Sequence, residues 1–311
     1  MKQYSLVDLA EVTVQGGSGG EGAFSFYHYR NGHTQGDGGN GGRGGDAYFS
    51  VHAGLYDLTK LRQKNSYKAL PGGRGSSNNK SGKDGEPVFV EVPLGTLIRD
   101  SRGALLADLD SKDGRFLAAH GGAAGQGNYK KAKNFTLHPR PGEEVRYQLD
   151  FRIPHDIALV GPPNTGKTTI VNRVAGQDFK VSPFPFTTAL PVWAPAEHDF
   201  RTFTIMELPA IIKVSKLELV NEQYLKHLYR SKVVVLVSAA DRKYQDDFTA
   251  IQSFLKEHLQ EDYSRKKIVL LVNKAQNKTS SAVKKDGKYT WCNAEHVQAG
   301  KALGRFLQGL L

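Results

Sequence analysis

The stretch "GPPNTGKTT" (161–169) holds the residues best suited to chemistry. Gly161, four residues, then Gly166-Lys167-Thr168 is the spacing of a phosphate-binding P-loop. The glycines let backbone N–H groups curl around phosphate oxygens, and Lys167 has the reach for the β- and γ-phosphates. The Thr168 hydroxyl is the Mg²⁺ ligand of such a loop, and Asn164, Thr165 and Thr169 complete the nucleotide-contacting set. This chemistry needs a loop that leaves a buried strand and opens a helix. Ile157–Val160 reads as that strand, and Ile170, Val171 and Val174 mark the apolar face of the helix.

Two later apolar runs, 232–237 and 267–276, read as further strands of the same α/β sheet. The chain closes in an amphipathic helix with Val297, Ala302, Leu303, Phe306, Leu307 and Leu310 on one face. With 311 residues there is room for two domains. Glycine places the boundary: 27 of the 34 glycines lie in residues 1–150. The domains are therefore read as 1–152 and 153–311. A net charge of +11 favours a polyanionic partner. No apolar run approaches a membrane span, and a single cysteine, Cys292, excludes an internal disulfide framework. The opening residues read as neither a signal peptide nor an Arg- and Ser-rich transit peptide, so an organellar protein would carry its presequence ahead of them.

The first half could be a flexible linker, but strand-like stretches at 47–51, 87–98 and 115–119 punctuate its glycines. Glycine at near-threefold spacing suits polyproline-II-like helices, which have three residues per turn and pack side by side only where no Cβ intervenes. An ordered β domain carrying extended glycine helices follows, in which Gly38→Val or Gly41→Val should be disruptive. Phe24, Phe26, Tyr27 and Tyr29 are read as core, base stacking being the alternative. Arg30, Arg43, Arg74, Lys80, Lys83, Lys130, Lys131 and Lys133, set on glycine loops, are read together as an RNA-contacting set.

"QGGSGGEGAFSFYHYR…GDGGNGGRGGDAYFSV", "GKDGEPVFVEVPLGTLIRD", "FLAAHGGAAGQGN" and "HPRPGEEVRYQLDF", in that order, resemble the N-terminal domain of the Obg family of GTPases. The resemblance implies an α/β P-loop GTPase domain with a mostly parallel sheet, preceded by a glycine-rich Obg-type β domain with polyproline-II-like helices. It also implies GTP or GDP with Mg²⁺, and large-subunit ribosomal RNA contacted by the tips of the glycine loops. Ribosomal proteins and other assembly factors are the remaining implied partners, with the chain a monomer on the ribosome. Asn164 matches a variant linked in related GTPases to K⁺-assisted hydrolysis.

By the same resemblance, "SPFPFTTALP" (182–191) is switch I, with Thr187 or Thr188 closing on Mg²⁺, Thr188 favoured. Beyond it the pattern decays. Glu207 and Ala210 stand where the family has Asp and Gly of Asp-x-Pro-Gly, and Ile211 follows. Glu207 keeps a carboxylate for the metal, one methylene longer. Asn273-Lys274-Ala275-Gln276 replaces Asn-Lys-x-Asp, and Gln276 forfeits the charge-assisted pair of bonds to guanine. Ala294 follows Asn293 in the last base-contacting position. Two readings result: a degenerate GTPase domain that docks an RNA-binding assembly factor, and a slow switch that still hydrolyses GTP. The departures point to the mitochondrial matrix, the bacterial cytoplasm being the alternative.

Overall fold

The computed structural model describes residues 6–131, 138–178, 190–210, 212–213, 218–219, 222–275, 283–296 and 298–311. The chain divides into two compact units, Met1–Phe151 and Arg152–Leu311.

The first unit is built on two sheets. One runs Ser66–Lys68, Leu9–Gln15, Glu144–Phe151, Thr96–Arg99, Leu105–Leu109 in order; the other has Ala47–Val51 between Val88–Val92 and Arg115–Ala119. Leu9–Gln15 alternates, turning Ala10, Val12 and Val14 inward while Leu9 and Glu11 face solvent. The two sheets meet through Tyr147, whose hydroxyl donates to Ala118 O and whose ring meets Phe49 edge-on at 5.4 Å. The run 87–98, read as one strand, is two strands in different sheets. Pro93-Leu94-Gly95 parts them, with Gly95 at φ 92°, a conformation that turns the chain out of its first sheet.

Above the sheets stand the glycine segments. Their backbone hydrogen bonds fall every third residue: Gly17, Gly20 and Ala23 donate to the carbonyls of Gly45, Gly42 and Gly39. Gly72 and Gly75 donate to Ser18 and Glu21, Gly82 and Gly85 to Asn40 and Arg43, and Gly122 and Gly125 to Gly17 and Gly20. This is the period of a polyproline-II helix, one bond per turn to each neighbour. The packing leaves no room for a side chain. A Cβ on Gly41 would lie 2.0 Å from Gly20 O, one on Gly44 1.9 Å from Gly17 O, and one on Gly82 2.0 Å from Gly73 O. None of these three glycines has a positive φ. They are glycine because backbone touches backbone, not because the chain turns left-handed.

The second unit is a seven-stranded sheet in the order Val192–His198, Arg201–Glu207, Ile157–Val160, Val233–Ala239, Lys267–Asn273, Tyr289–Cys292, Val283–Asp286. The five strands from Arg201–Glu207 to Tyr289–Cys292 are parallel, and an antiparallel strand closes each edge. Pro195 is tolerated because its strand is an edge. Helices Lys167–Ala175 and Ala299–Gln308 cover one face, joining Ile170, Val171, Leu303 and Leu307 to Ile157, Leu159, Val235 and Leu271. Tyr244–Leu259 follows the central strand Val233–Ala239, burying Phe248, Ile251, Leu255 and Leu259 at helical spacing.

Candidate functional site

The carboxyl ends of parallel strands gather the loops that follow them, and ligands of such sheets sit there. Ile157–Val160 delivers Gly161, Arg201–Glu207 delivers Ala210, and Lys267–Asn273 delivers Lys274. Leu208 N donates to Leu159 O at 3.1 Å, and Ala240 N to Asn273 O at 2.8 Å, so the loops are tied to one another.

The phosphate cradle has its required shape. Asn164 (φ 62°) and Gly166 (φ 84°) are both left-handed, which curls the loop into the helix N-terminus. A Cβ on Gly161 would sit 2.0 Å from Val237 O, and one on Gly166 2.3 Å from the Asn273 amide nitrogen. Thr165 is fully buried, and its hydroxyl closes the loop on Pro162 O at 3.0 Å. Thr168 and Thr169 occupy the first turn of the helix, half-buried.

Lys167 is buried, with its ammonium on Gly161 O at 3.1 Å and Pro162 O at 2.9 Å. Burial pushes it below the ordinary lysine range; the Glu207 carboxylate opposes this, and the Arg242 guanidinium adds to it. Glu207 is itself only 2% exposed. The structure thus brings together the lysine that would meet outer phosphates and the carboxylate read as facing Mg²⁺. The cradle, the first-turn Thr168 and this carboxylate fit a nucleotide phosphate with its metal.

Asn273 is the keystone between the two nucleotide loops. Its amide nitrogen donates to Thr165 O at 3.0 Å, and its amide oxygen accepts from Ala294 N at 3.1 Å and Cys292 Sγ at 3.4 Å. Lys274 takes φ 59° and pairs with Asp241 at 3.6 Å. Ala294 is buried, as is Ala210, whose methyl group occupies the family's glycine position. Thr187, Thr188, Ile211, Gln276 and Lys133 lie outside the described residues.

Sequence reasoning passed over Arg242. It reaches Pro163 O at 3.4 Å and pairs at 3.3 Å with the buried Asp247, which also accepts the Ser238 hydroxyl at 2.5 Å. Its place after the Val233–Ala239 strand, beside "DD" at the start of a helix, was the available signal. Asn128 was missed as well. It is fully buried, and its amide oxygen accepts Gly38 N at 3.0 Å and Ser25 N at 3.2 Å.

On the glycine-rich unit, Arg30, Arg43, Arg74, Lys80, Lys83, Lys130 and Lys131 are all exposed. They are spread along the arms rather than pooled at the tips. Arg43 and Lys83 lie toward the sheets, and Arg74 meets Glu21 at 3.6 Å. Lys80 and Lys130 lie at the far end, around Gly36-Asp37. The aromatic residues are not core. Phe24, Tyr27 and Tyr29 are 53%, 51% and 43% exposed, because their hairpin, Phe26–His28 with Thr34–Gly36, is three residues deep and packs on no sheet.

A glycine-gated cradle between a buried strand and a helix, at the carboxyl edge of a mainly parallel sheet, defines a P-loop nucleotide-binding domain. The family model GTP1/OBG matches residues 7–153, and the model for 50S ribosome-binding GTPases matches 156–274. The "GTPase Obg" of Prosthecochloris aestuarii is 34% identical over 249 residues, 76% of this chain and 75% of that protein. That of Chlorobium phaeobacteroides is 33% identical over 268 residues, covering 82% and 80%. That of Desulfitobacterium hafniense (strain DSM 10664 / DCB-2) is 32% identical over 284 residues, and the chain spans 66% of its length. Among solved structures, an S. thermophilus NFeoB variant bound to GMPPNP aligns at 18% identity over 50% of this chain and 62% of that one, with a TM-score of 0.37. The chain belongs to the Obg family.

Proposed function

We propose that this protein is an assembly factor of the large ribosomal subunit. Its glycine arms bind ribosomal RNA, and its P-loop domain serves mainly to dock it beside ribosomal proteins and other assembly factors. The observation that carries this reading is the pairing of a complete cradle with altered switch positions. Ala210 is buried where a glycine peptide would turn toward the γ-phosphate, and its Cβ removes that freedom. Glu207 is buried where its charge acts on Lys167, one methylene longer than the family's aspartate. Gln276 lacks the carboxylate that selects guanine.

A second reading, an active GTP-hydrolysing switch that times a maturation step, is favoured by the Asn273 bridge, which keeps the cradle and the base loop in register. Labelled GTP, GDP and ATP titrated with Mg²⁺ separate the two. The docking reading expects weak, base-indifferent binding that rises at least 10-fold for GTP in Glu207→Asp/Ala210→Gly/Gln276→Asp. Wild-type affinity and turnover equal to that variant's overturn it and leave the switch. Turnover in KCl against NaCl tests a K⁺ role for Asn164. The basic charge and the departures at 207, 210 and 276 are the support for a mitochondrial matrix setting; the three relatives named above are bacterial and fit the bacterial cytoplasm as the alternative. Finding the protein in the matrix fraction of the cells that make it would support this setting, and its absence there overturns it.

A further inference from the structure

The far end of the arms holds a hollow of about 640 Å³ that the RNA-contact reading did not foresee. Tyr27, Tyr29 and Tyr129 open onto it, 51%, 43% and 39% exposed. Tyr27 and Tyr29 stand edge to face at 4.8 Å, and the Tyr29 hydroxyl is held by Gln35 at 3.0 Å. The third ring has the Lys130 ammonium 5.2 Å from its centre. Tyr29 also lies against His33 at 5.8 Å, yet all three tyrosines around the hollow keep large apolar area unburied.

The walls are built and strained. Asn78, Asn79 and Lys130 line the hollow and all take left-handed backbone, with φ 59°, 55° and 54°. Such residues cost free energy and persist only where surrounding bonds fix them. Here Asn78 N donates to Asp37 Oδ2 at 3.0 Å, Asn79 N to Asp37 O at 2.6 Å, and Lys130 N to Gly36 O at 3.1 Å. Tyr129 N donates to Gly38 O at 3.0 Å, and Gly38 N in turn reaches the buried Asn128. Both walls therefore hang on one short segment, 36–38. Asp37, the one carboxylate in the lining, turns its charge on the wall. The Ser25 hydroxyl and the Asn78 amide hold it below the usual carboxylate range.

We propose that this hollow receives one unstacked nucleobase of single-stranded RNA, seated on the tyrosine rings with its phosphate toward Lys130. A base supplies a flat π-face to cover the ring surface left exposed, and the side-chain amides at Gln35, Asn78 and Asn79 have the donors and acceptors that a base edge requires. Exposed Lys80 and Lys131 adjoin the lining in sequence, so the backbone of the strand would run over cations. The occupant follows from that charge: aromatic floor with basic rim is the arrangement of single-strand binding sites. The proposal rests on the reading that the arms bind RNA.

The test uses the full chain and a single-stranded RNA hexamer carrying 2-aminopurine, whose fluorescence is quenched by stacking. Binding should quench the probe. Tyr27→Ala/Tyr129→Ala should weaken binding about 10-fold and abolish the quench, with the slope of log K against log salt unchanged. Tyr27→Phe/Tyr129→Phe should retain both, because only the rings are used. These side chains are exposed, and an unchanged thermal midpoint verifies the fold. An alanine pair that binds and quenches like wild type overturns the base receptor while leaving RNA binding by the arms intact. So does wild type that binds purified large-subunit RNA but not the hexamer. Failure to bind either RNA overturns both readings.

Discussion

At Gly41 one added methyl group would meet a backbone oxygen at 2.0 Å. Neither arm can yield, because each is bonded to others on its far side. Gly41→Val should therefore cost more than the ~3 kcal/mol of ordinary overpacking and remove cooperative unfolding of the first unit in urea. Gly32 is the contrast. It has open space around it but φ 79°, so Gly32→Ala should cost only about 1–2 kcal/mol of backbone strain. A second residue couples stability to pH. Burial pushes His155 down to about 4 from an ordinary 6.5, its Nδ1 lying 2.8 Å from Ile153 O. The folded imidazole stays neutral while the unfolded one takes up a proton, so its contribution is whole above pH 6.5 and is lost as pH falls toward 4. Between pH 7 and pH 5 that loss is about 2 kcal/mol. Denaturant titrations at the two pH values should show a drop smaller by that amount in His155→Gln.

The arms make their own prediction at the level of the element. In the outer segment 80–86, Gly82 and Gly85 donate to backbone carbonyls, whereas Ser81, Lys83 and Asp84 have no backbone acceptor among the described residues. In the segment 39–45, Gly39, Gly41, Gly42, Gly44 and Gly45 all donate to backbone, because neighbours surround it. Amide exchange should show protection at every third residue outside and at nearly every glycine inside. Uniformly fast exchange across both would mean the arms are not held as described. The threefold glycine spacing made this bundle legible in the sequence, since the bond period is the sequence period. The tyrosines were legible only in part: Tyr27 and Tyr29 were read as core with base stacking as the alternative, and they are exposed. A three-residue hairpin has too few positions for alternation to tell in from out, and their role depends on Asn78 and Lys130, roughly 50 to 100 residues away. The single strand expected over 87–98 failed for a local reason, the Pro-Leu-Gly break at 93–95.

Over the whole molecule the two units were legible to different depths. Strand Ile157–Val160 and the loop after it announce themselves because the chemistry and the positioning elements are contiguous. The Asn273 bridge to Thr165 spans 108 residues, so spacing named the partners but not their contact. Arg242 escaped because its contact with the cradle, at Pro163 O, joins residues 79 positions apart. The units also differ in what holds them together. The second buries Ile, Leu and Val between sheet and helices; the arms of the first bury peptide groups against peptide groups. Exposing hydrocarbon raises heat capacity on unfolding, and exposing peptide lowers it. The glycine-rich unit should therefore unfold with less than the usual ~12–15 cal/mol/K per residue. Scanning calorimetry would show this in the transition that Gly41→Val removes. A small heat-capacity change makes a shallow stability curve, so the glycine-rich unit would hold its shape across a wider span of temperature than the P-loop unit.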